Sequence, residues 1–379
     1  MPPTNWKVRE SLLLAPYAMH AINSRGRVHP EPQHFLRSPY QRDHDRIVHS
    51  AAFRRLAHKT QVFTGYQGDY HRSRLTHTLE VTGIARTIGR SLALNEDLIE
   101  TLALAHDIGH PPLGHAGEDT LNELLAEEGG FNHNAQALRI MELLENRYPD
   151  FPGLNLSREI LEAQSTRIKG QPANDIHHLH CPLLETQVVD AADSIAYDTH
   201  DADDAIELGL VTLNELLDLP LIRNAAKQAT DRYGPLAEFD YRRAIIHELV
   251  EMQVADIVQE SIAVIEKMGL DTLQSVRNLQ DSNGNPLKTI IHSENLAKGK
   301  KDLEAFLFRQ VYRSQQVMSV REAAQKKLSH LFYWYCEHPD KIAPSYRERS
   351  KNFGVKRSTA DYLAGMTDRF LEWDYAQRM

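Results

Sequence analysis

The sequence predicts an all-α protein, with a helical core and a helical C-terminal extension packed on it. Apolar residues recur at the three- and four-residue spacing of amphipathic helices along most of the chain. Segments that alternate apolar and polar residues, as strands do, are scarce, and no internal repeat is visible. A length of 379 residues, with 41% hydrophobic and 25% charged residues, suits a globular protein that buries a sizeable core.

The N-terminal residues 1–40 are predicted to be irregular, because prolines interrupt them. A helix-like segment follows at 41–59, and a long amphipathic helix at 74–93. The second of these carries apolar residues at helical spacing, namely Leu75, Leu79, Ile84, Ile88 and Leu92.

The next predicted helix, at 96–107, ends in an apolar run. Pro111 and Pro112 must break it, because proline lacks the amide hydrogen that a helix needs. Gly114 then allows a tight turn before a helix at 116–127. Two helix ends and the loop between them are therefore expected to face one point.

The same periodicity predicts the later helices, of which the one at 183–207 is the longest in the core. The others span 133–146, 157–165, 212–229, 240–268, 300–336 and 356–373. Short hairpins are predicted only near 62–69 and around 282–286, where Asn-Gly is a turn signal. We divide the chain into an N-terminal irregular segment (1–40), a catalytic core (41–210) and a helical C-terminal region (211–379) packed on the core.

Composition excludes several classes of protein. Cys181 and Cys336 provide no disulfide framework and suit a reducing compartment. The sequence has no signal-peptide pattern and no apolar run of membrane-spanning length, so we expect a cytoplasmic protein with no membrane contact. A net charge of −9 argues against a nucleic-acid coat over the whole surface, although a local basic groove stays open.

Residues 106–118 read His-Asp-Ile-Gly-His-Pro-Pro-Leu-Gly-His-Ala-Gly-Glu, a composition that suits a metal site better than a hydrophobic core. A His-Asp pair alone is weak evidence, because the chain has 20 histidines and further such pairs at 44–45 and 200–201. A divalent ion needs three or four ligands from different elements. Additional ligands must therefore come from other helices.

Two residues on other helices could supply these ligands. His77 lies on the predicted helix 74–93 and Asp193 on the predicted helix 183–207. Either residue alone is more simply a satisfied histidine or a solvated acid. Together with His106 and Asp107 they predict a metal site.

An acidic stripe with one aromatic ring follows the last of these ligands. Asp193, Tyr197 and Asp201 are spaced by four residues, which puts them on one face of the predicted helix, beside its apolar side. A solvated face is the simpler interpretation of this stripe when it is taken alone.

The order His77, His106-Asp107, Asp193 resembles the HD superfamily of metal-dependent phosphohydrolases. Over nearly the whole chain, the surrounding motifs resemble the deoxyguanosine triphosphate triphosphohydrolase-like family. The matching motifs are SRGR at 24–27, FRRLAHKTQVF at 53–63, RLTHTLEV at 74–81, HDIGHPPLGHAGE at 106–118, GFNHNAQ at 130–136, ADSIAY at 192–197 and ADYLAGMTDRF at 360–370. One departure is Ser194, where the family commonly has a second Asp; the ligand position itself is kept.

The resemblance implies an HD-domain fold for the helical core, with one divalent metal ion bound by His77, His106, Asp107 and Asp193. Two imidazoles and two carboxylates form a mixed nitrogen and oxygen set, which suits Mn²⁺, Mg²⁺, Fe²⁺ or Ni²⁺ better than a thiolate-rich structural zinc. Four ligands leave coordination positions open for water and a phosphate oxygen.

The resemblance also implies that His115 and Glu118 act near the scissile phosphate, as a catalytic histidine and its acidic partner. A carboxylate one helical turn from His115 can orient the ring and stabilise its charged form. By itself, Glu118 could be no more than an acid that interacts with a helix dipole. For His110, a structural role in the turn and a catalytic role both stay open.

A triphosphate substrate needs cations, and Lys59 and Arg74 flank the first ligand, although such residues are often only surface charges. We place Lys59 in the substrate site on the basis of its charge and position, and the resemblance implies that Arg74 and His133 contact phosphates. It further implies that Gln61 and Asp201 bind the sugar 3′-hydroxyl, and that Tyr197 excludes a 2′-hydroxyl.

The activity implied by the resemblance is metal-dependent hydrolysis of a dNTP, such as dGTP, to a deoxynucleoside and inorganic triphosphate. The residues by themselves indicate only metal-assisted phosphate chemistry. The alternatives are another HD phosphohydrolase, such as a nucleotide phosphomonoesterase, and a non-catalytic scaffold that senses nucleotides or binds nucleic acid. We expect a homo-oligomer, and leave an allosteric nucleotide and single-stranded DNA open as further partners.

Overall fold

The computed structural model describes residues 5–61, 72–168 and 181–378, and over these ranges the protein is all-α, as predicted. Extended pairing within the described ranges is restricted to isolated bridges. One of them joins Gln280 and Pro286 around the predicted turn at 282–286. The hairpin predicted near 62–69 lies outside the described residues.

The first half of the chain contributes helices α1 to α9. These are α1 (Trp6–Leu13), α2 (Pro39–Val48), α3 (Ala51–Arg55), α4 (Arg74–Ser91), α5 (Glu96–Ala105), α6 (Gly114–Leu124), α7 (His133–Arg139), α8 (Arg158–Thr166) and α9 (Leu184–Glu207). The second half contributes α10 (Leu213–Leu217), α11 (Pro220–Tyr233), α12 (Glu238–Lys267), α13 (Leu273–Arg277), α14 (Glu294–Leu307), α15 (Gln315–Glu337), α16 (Pro344–Phe353), α17 (Val355–Ala364) and α18 (Asp368–Arg378).

Several helices predicted as continuous are divided in the structure. The segment 41–59 divides at Ser50, whose hydroxyl accepts the amide of Phe53 and caps α3. The segment 212–229 divides at Pro220, the first residue of α11. Periodicity misses such breaks because the helices on both sides bury apolar residues at similar spacing.

Two divisions in the C-terminal part have consequences for the site. The predicted helix 300–336 consists of α14, a π-helical turn at Phe308–Tyr312, and α15, which Ser314 caps. The predicted helix 356–373 divides between α17 and α18. At these breaks, Tyr312 of the π-helical turn and Asp368 of α18 extend their side chains toward the core.

The N-terminal segment is more ordered than the proline content predicts, because α1 forms within it. The side chain of Asn5 accepts the Lys7 amide and caps this helix. On its buried side, the carboxylate of Glu10 accepts the backbone amide of Ala21.

Three clusters of buried apolar side chains join the helices. The largest lies among α2, α4, α5, α8 and α9, and the second joins the end of α9 to α11, α12 and α14. The third packs Leu121 of α6 against Leu328, Leu363 and Leu371 of α15, α17 and α18. The C-terminal helices therefore contact the helix that follows the histidine-rich loop. Among the described helices, none is both long enough and apolar enough to cross a membrane.

Candidate active site

Helices α4 and α9 and the end of α5 bring three predicted metal ligands together. The Nε2 atom of His77 lies 3.1 Å from Oδ1 of Asp193, and Nε2 of His106 lies 3.6 Å from the same oxygen. Both imidazoles are buried, whereas the Asp193 side chain is 42% exposed. Two nitrogens and one oxygen thus converge on a point that is open on the Asp193 side.

The fourth predicted ligand, Asp107, adjoins this group. Its Oδ1 lies 3.8 Å from Nε2 of His106, and its Oδ2 accepts a hydrogen bond of 2.7 Å from Arg74. Burial opposes ionisation of Asp107, but Arg74 and the neighbouring imidazoles outweigh it and hold the pKa of this carboxyl well below its usual value. The carboxylate is therefore charged, as a metal ligand must be.

The remaining electrostatics fit a divalent cation. Although its side chain is 42% exposed, the Asp193 carboxyl is partly desolvated, which would raise its pKa; the His106 and His77 imidazoles outweigh this and hold the pKa well below its usual value. The buried Nε2 atom of His106 has no hydrogen-bond partner in the described part of the chain. Such an atom is costly to bury without a partner, and a metal ion at the centre of the cluster would supply one.

The turn after His106 is tightly packed. A Cβ atom on Gly109 would lie 2.1 Å from the carbonyl oxygen of His133 and 2.3 Å from the amide of Ala137, so only glycine fits there. Leu113 has a φ of 67°, an uncommon left-handed conformation for a residue with a side chain. This path brings the loop against α7 and starts α6.

A second cluster forms where α6 and α7 meet the loop. The rings of His110 and His133 stack with centroids 3.8 Å apart. Glu118 lies 2.8 Å from Nδ1 of His133 and also accepts the His133 backbone amide, and its other oxygen is 3.6 Å from Nδ1 of His115. His115 is half exposed, so the sequence-predicted catalytic histidine faces solvent while its acidic partner is mostly enclosed.

The charge states in this second cluster differ from one another. Burial would raise the pKa of Glu118, but hydrogen bonds from His115 and His133 hold it well below its usual value. Burial and the nearby Arg74 lower the pKa of His110, which is therefore neutral at physiological pH. A charged carboxylate therefore lies beside both His115 and His133.

Gln61, Arg74 and Lys59 all lie beside this loop. Nη2 of Arg74 donates to the backbone oxygen of Gln61 at 3.3 Å, and the buried Oε1 of Gln61 has no partner among the described residues. The ammonium of Lys59 is buried and donates to the backbone oxygens of His110, at 2.5 Å, and Ala364, at 2.9 Å. Lys59 thus connects the histidine-rich loop to the end of α17. Its role in substrate binding stays a prediction.

The predicted sugar-binding residues on α9 meet a residue that sequence reasoning missed. The hydroxyl of Tyr312 donates a hydrogen bond to the buried carboxyl of Asp201, and its ring centroid lies 6.5 Å from that of Tyr197. Burial raises the pKa of Asp201 to about 8. Tyr312 lies on the π-helical turn, 111 residues from Asp201, so no local pattern could have indicated it.

His200 is a second residue that the sequence did not indicate. Its ring packs edge to face against that of the ligand His77, with centroids 5.9 Å apart, and its Nε2 lies 3.3 Å from Glu80. Burial lowers the pKa of His200, so the ring beside the metal ligand is neutral. The His200-Asp201 dipeptide was the only local signal, and it recurs elsewhere in the sequence.

Comparisons with known proteins match two parts of this architecture. An HD domain matches residues 74–198, which hold both clusters, and a phosphohydrolase-associated domain matches residues 290–377.

Whole-chain similarity extends to curated proteins. The deoxyguanosinetriphosphate triphosphohydrolase-like protein of Geobacter sulfurreducens is 41% identical over 362 residues, which are 94% of this chain and 92% of that protein. The protein of the same name from Leptospira interrogans is 38% identical over 370 residues, 97% of this chain and 96% of that protein. The one from Bradyrhizobium sp. is 40% identical over 369 residues, 94% of each chain.

Proposed function

The chain belongs to the deoxyguanosinetriphosphate triphosphohydrolase-like family of HD-domain phosphohydrolases, and from this premise we propose that it is a dNTP triphosphohydrolase. In the proposed reaction, water attacks the α-phosphorus of a dNTP such as dGTP. The bond from phosphorus to O5′ breaks, and the products are the deoxynucleoside and inorganic triphosphate. The observation that carries the proposal is the contact between the metal-ligand cluster and the histidine–glutamate cluster, through Asp107 and His110 at 3.2 Å.

The first cluster would hold the metal. His77, His106, Asp107 and Asp193 offer two nitrogens and two carboxylates, a set suited to Mn²⁺, Mg²⁺, Fe²⁺ or Ni²⁺. A divalent ion bound there would polarise a phosphate oxygen and bind a water molecule.

The second cluster would donate a proton to the leaving group and contact the phosphates. His115 is exposed enough to meet a substrate and lies 3.6 Å from Glu118, so it is the residue we propose to donate a proton to the departing O5′ oxygen. His133 and Arg74 would contact phosphate oxygens, and the neutral His110 would support the stacked His133 ring.

The α9 residues beyond the metal would bind the sugar. Tyr197 and Asp201 lie one turn apart on the helix that carries Asp193. Asp201 and Oε1 of Gln61, which has no partner in the described part of the chain, are two buried polar groups that a 3′-hydroxyl could satisfy. The Tyr197 ring would occupy the space needed by a 2′-hydroxyl, and Tyr312 would enclose the same pocket.

Product analysis tests the proposal. Purified protein is incubated with each dNTP and, in separate reactions, with Mn²⁺, Mg²⁺, Fe²⁺ or Ni²⁺, and the products are separated by anion-exchange chromatography. We expect deoxynucleoside and triphosphate in equal amounts. Release of orthophosphate from a nucleotide would instead indicate a phosphomonoesterase, and nucleotide binding without turnover under any of the four metals would indicate a non-catalytic scaffold.

A further inference from the structure

Asp368, the first residue of α18, lies in the ADYLAGMTDRF motif and contacts two segments of the candidate active site. Its Oδ2 accepts hydrogen bonds from the amide of Thr60, at 2.8 Å, and from the Thr60 hydroxyl, at 2.6 Å. Its Oδ1 accepts the amide of Leu113 at 2.9 Å. One carboxylate from the C-terminal region therefore joins two segments that are more than 50 residues apart in the core.

Both partners are next to residues with proposed roles. Thr60 precedes Gln61, the candidate ligand for the sugar. Leu113 is the left-handed residue from which α6 starts, and α6 carries His115 and Glu118. A hydrogen bond from the Leu113 amide to a carboxylate stabilises a conformation that is otherwise unfavourable for leucine.

The two segments also touch each other. A Cβ atom added to Gly114 would lie 3.2 Å from the backbone oxygen of Gln61 and 3.5 Å from Nη2 of Arg74. A shift of the Thr60 segment would therefore be transmitted to the start of α6 by direct contact, because packed protein groups have little free space to absorb it.

Asp368 is free for this role because another residue caps its helix. The hydroxyl of Thr367 accepts the amide of Phe370 in the first turn of α18. A second connection runs parallel to the first, since the buried Lys59 ammonium bonds to Ala364 at the end of α17 and to His110 in the loop. The segment between α17 and α18 is thus connected to the histidine-rich loop twice, directly by Asp368 and through Lys59 by Ala364.

We infer that Asp368 is a positioning residue, through which the C-terminal region sets the relative placement of Gln61 and His115 around the substrate. Among the described residues, its side chain accepts hydrogen bonds from Thr60 and Leu113 and from none of the candidate metal ligands. Its effect on turnover rests on the proposed function, whereas its effect on the two backbone amides does not.

The test compares Asp368→Ala and Asp368→Asn with a control on the same helix, Glu372→Gln, which alters an exposed ion pair with Lys327. Hydrogen–deuterium exchange, followed by mass spectrometry of peptides that contain Thr60 and Leu113, reports the positioning directly. We expect exchange of both amides to accelerate roughly 10- to 100-fold in Asp368→Ala, the effect of losing hydrogen bonds to a charged group. Asp368→Asn keeps one acceptor oxygen and should be intermediate, and the control should match the native protein.

Steady-state kinetics and metal analysis provide the second measurement. In Asp368→Ala we expect kcat for dGTP to fall roughly 10- to 100-fold with bound metal unchanged, because misplacement of His115 slows chemistry without removing ligands. A folded variant whose kcat equals that of the control would overturn the inference, as would metal loss in proportion to activity. Unchanged exchange at Thr60 and Leu113 would also overturn it.

Two further outcomes are distinguishable. If Asp368→Ala does not fold, Thr60→Val provides the test, because it removes only the hydrogen bond from the Thr60 hydroxyl to Asp368. We then expect a smaller increase in the exchange rate of the same amides. Native exchange and kcat in Thr60→Val would then overturn the inference. Native protein that releases no triphosphate from any dNTP would refute the proposed function, and the exchange measurement would still decide the role of Asp368.

Discussion

The Nε2 atom of His110 lies 3.2 Å from Oδ1 of Asp107, so the two clusters of the candidate active site are in direct contact. On one side of this contact are the buried imidazoles of the metal-ligand cluster, and on the other the stacked rings of His110 and His133. Substitutions on the two sides should therefore have separable effects, one on metal binding and the other on chemistry.

Removal of a metal ligand should abolish metal retention and hydrolysis together. We expect this of His106→Ala and of Asp193→Ala, because each removes one of the few atoms that converge on the site. Elemental analysis of the purified variants measures the bound metal. His44→Ala, in a His-Asp pair on the surface, is the matched control and should keep both. Full metal content in Asp193→Ala would contradict the ligand assignment.

His115→Ala should keep metal and substrate affinity but slow turnover. A loss of roughly 10²- to 10⁴-fold in kcat is expected for a residue that transfers a proton in the transition state. Glu118→Gln should reduce kcat less, because it removes the negative charge beside His115 and leaves the ring in place. Single-turnover kinetics with a parallel metal analysis measures both. Metal loss in His115→Ala, or native turnover, would show that the residue has another role.

Tyr197 and Asp201, which we propose bind the sugar, should control discrimination between deoxyribose and ribose. We expect native protein to hydrolyse dGTP much faster than GTP, and Tyr197→Ala to narrow the gap by admitting the ribonucleotide. Asp201→Ala should lower kcat/KM for dGTP. The loss of transition-state stabilisation should be about 1–3 kcal/mol, the cost of an unpaired buried polar group. Its effect on a 2′,3′-dideoxy analogue should be smaller, because that analogue has no 3′-hydroxyl to lose. Equal native rates for dGTP and GTP would remove the deoxynucleotide assignment.

The raised pKa of Asp201 predicts a pH dependence of stability. Burial moves this pKa from 3.8 to about 8, so between these values the native state keeps a proton that the unfolded state has released. Unfolding then releases a proton, and the free energy of unfolding should fall as the pH rises from about 4 to 8. Asp201→Asn should remove this contribution. Urea unfolding of both proteins at pH 5 and pH 8 checks it: a parallel change in the two proteins would contradict the prediction.

The ion pair between Lys300 and Asp198 should be needed for stability of the helix that carries Asp193. The Lys300 ammonium is buried, 2.5 Å from Asp198 and 3.3 Å from the backbone oxygen of Ser194. Lys300→Met leaves an unpaired buried carboxylate and should lower the free energy of unfolding by about 3–5 kcal/mol. The exposed neighbour provides the control, Lys301→Met, with little expected change.

A double variant identifies the source of that loss. Lys300→Met combined with Asp198→Asn leaves no charge at the position of this pair, so most of the stability should return. A double variant as unstable as Lys300→Met would show that the lysine stabilises the protein through contacts other than this pair.

The candidate metal ligands could be predicted because together they form a pattern in the sequence, whereas the roles of the other site residues were implied by the family resemblance. His77 and Asp193 lie on helices whose apolar spacing is visible in the sequence, and His106 precedes two prolines that force the chain to turn. The all-α class followed from the same spacing. Positions of the helix breaks did not, because Ser50 and Ser314 act as caps only in the backbone conformation that the fold imposes.

Local sequence therefore determined the all-α class, the apolar faces of most helices, and the residues that we propose to bind a metal. Tertiary structure alone decided that Tyr312 meets Asp201 and that Asp368 holds Thr60 and Leu113, contacts that span 111, 308 and 255 residues. The physical reason is that periodicity reports which side of a helix is buried, but not what it is buried against. Contacts between residues so far apart in sequence depend on the packing of the whole core. A π-helical turn or the start of a helix can there change the direction of one side chain, so that it contacts a residue of the site.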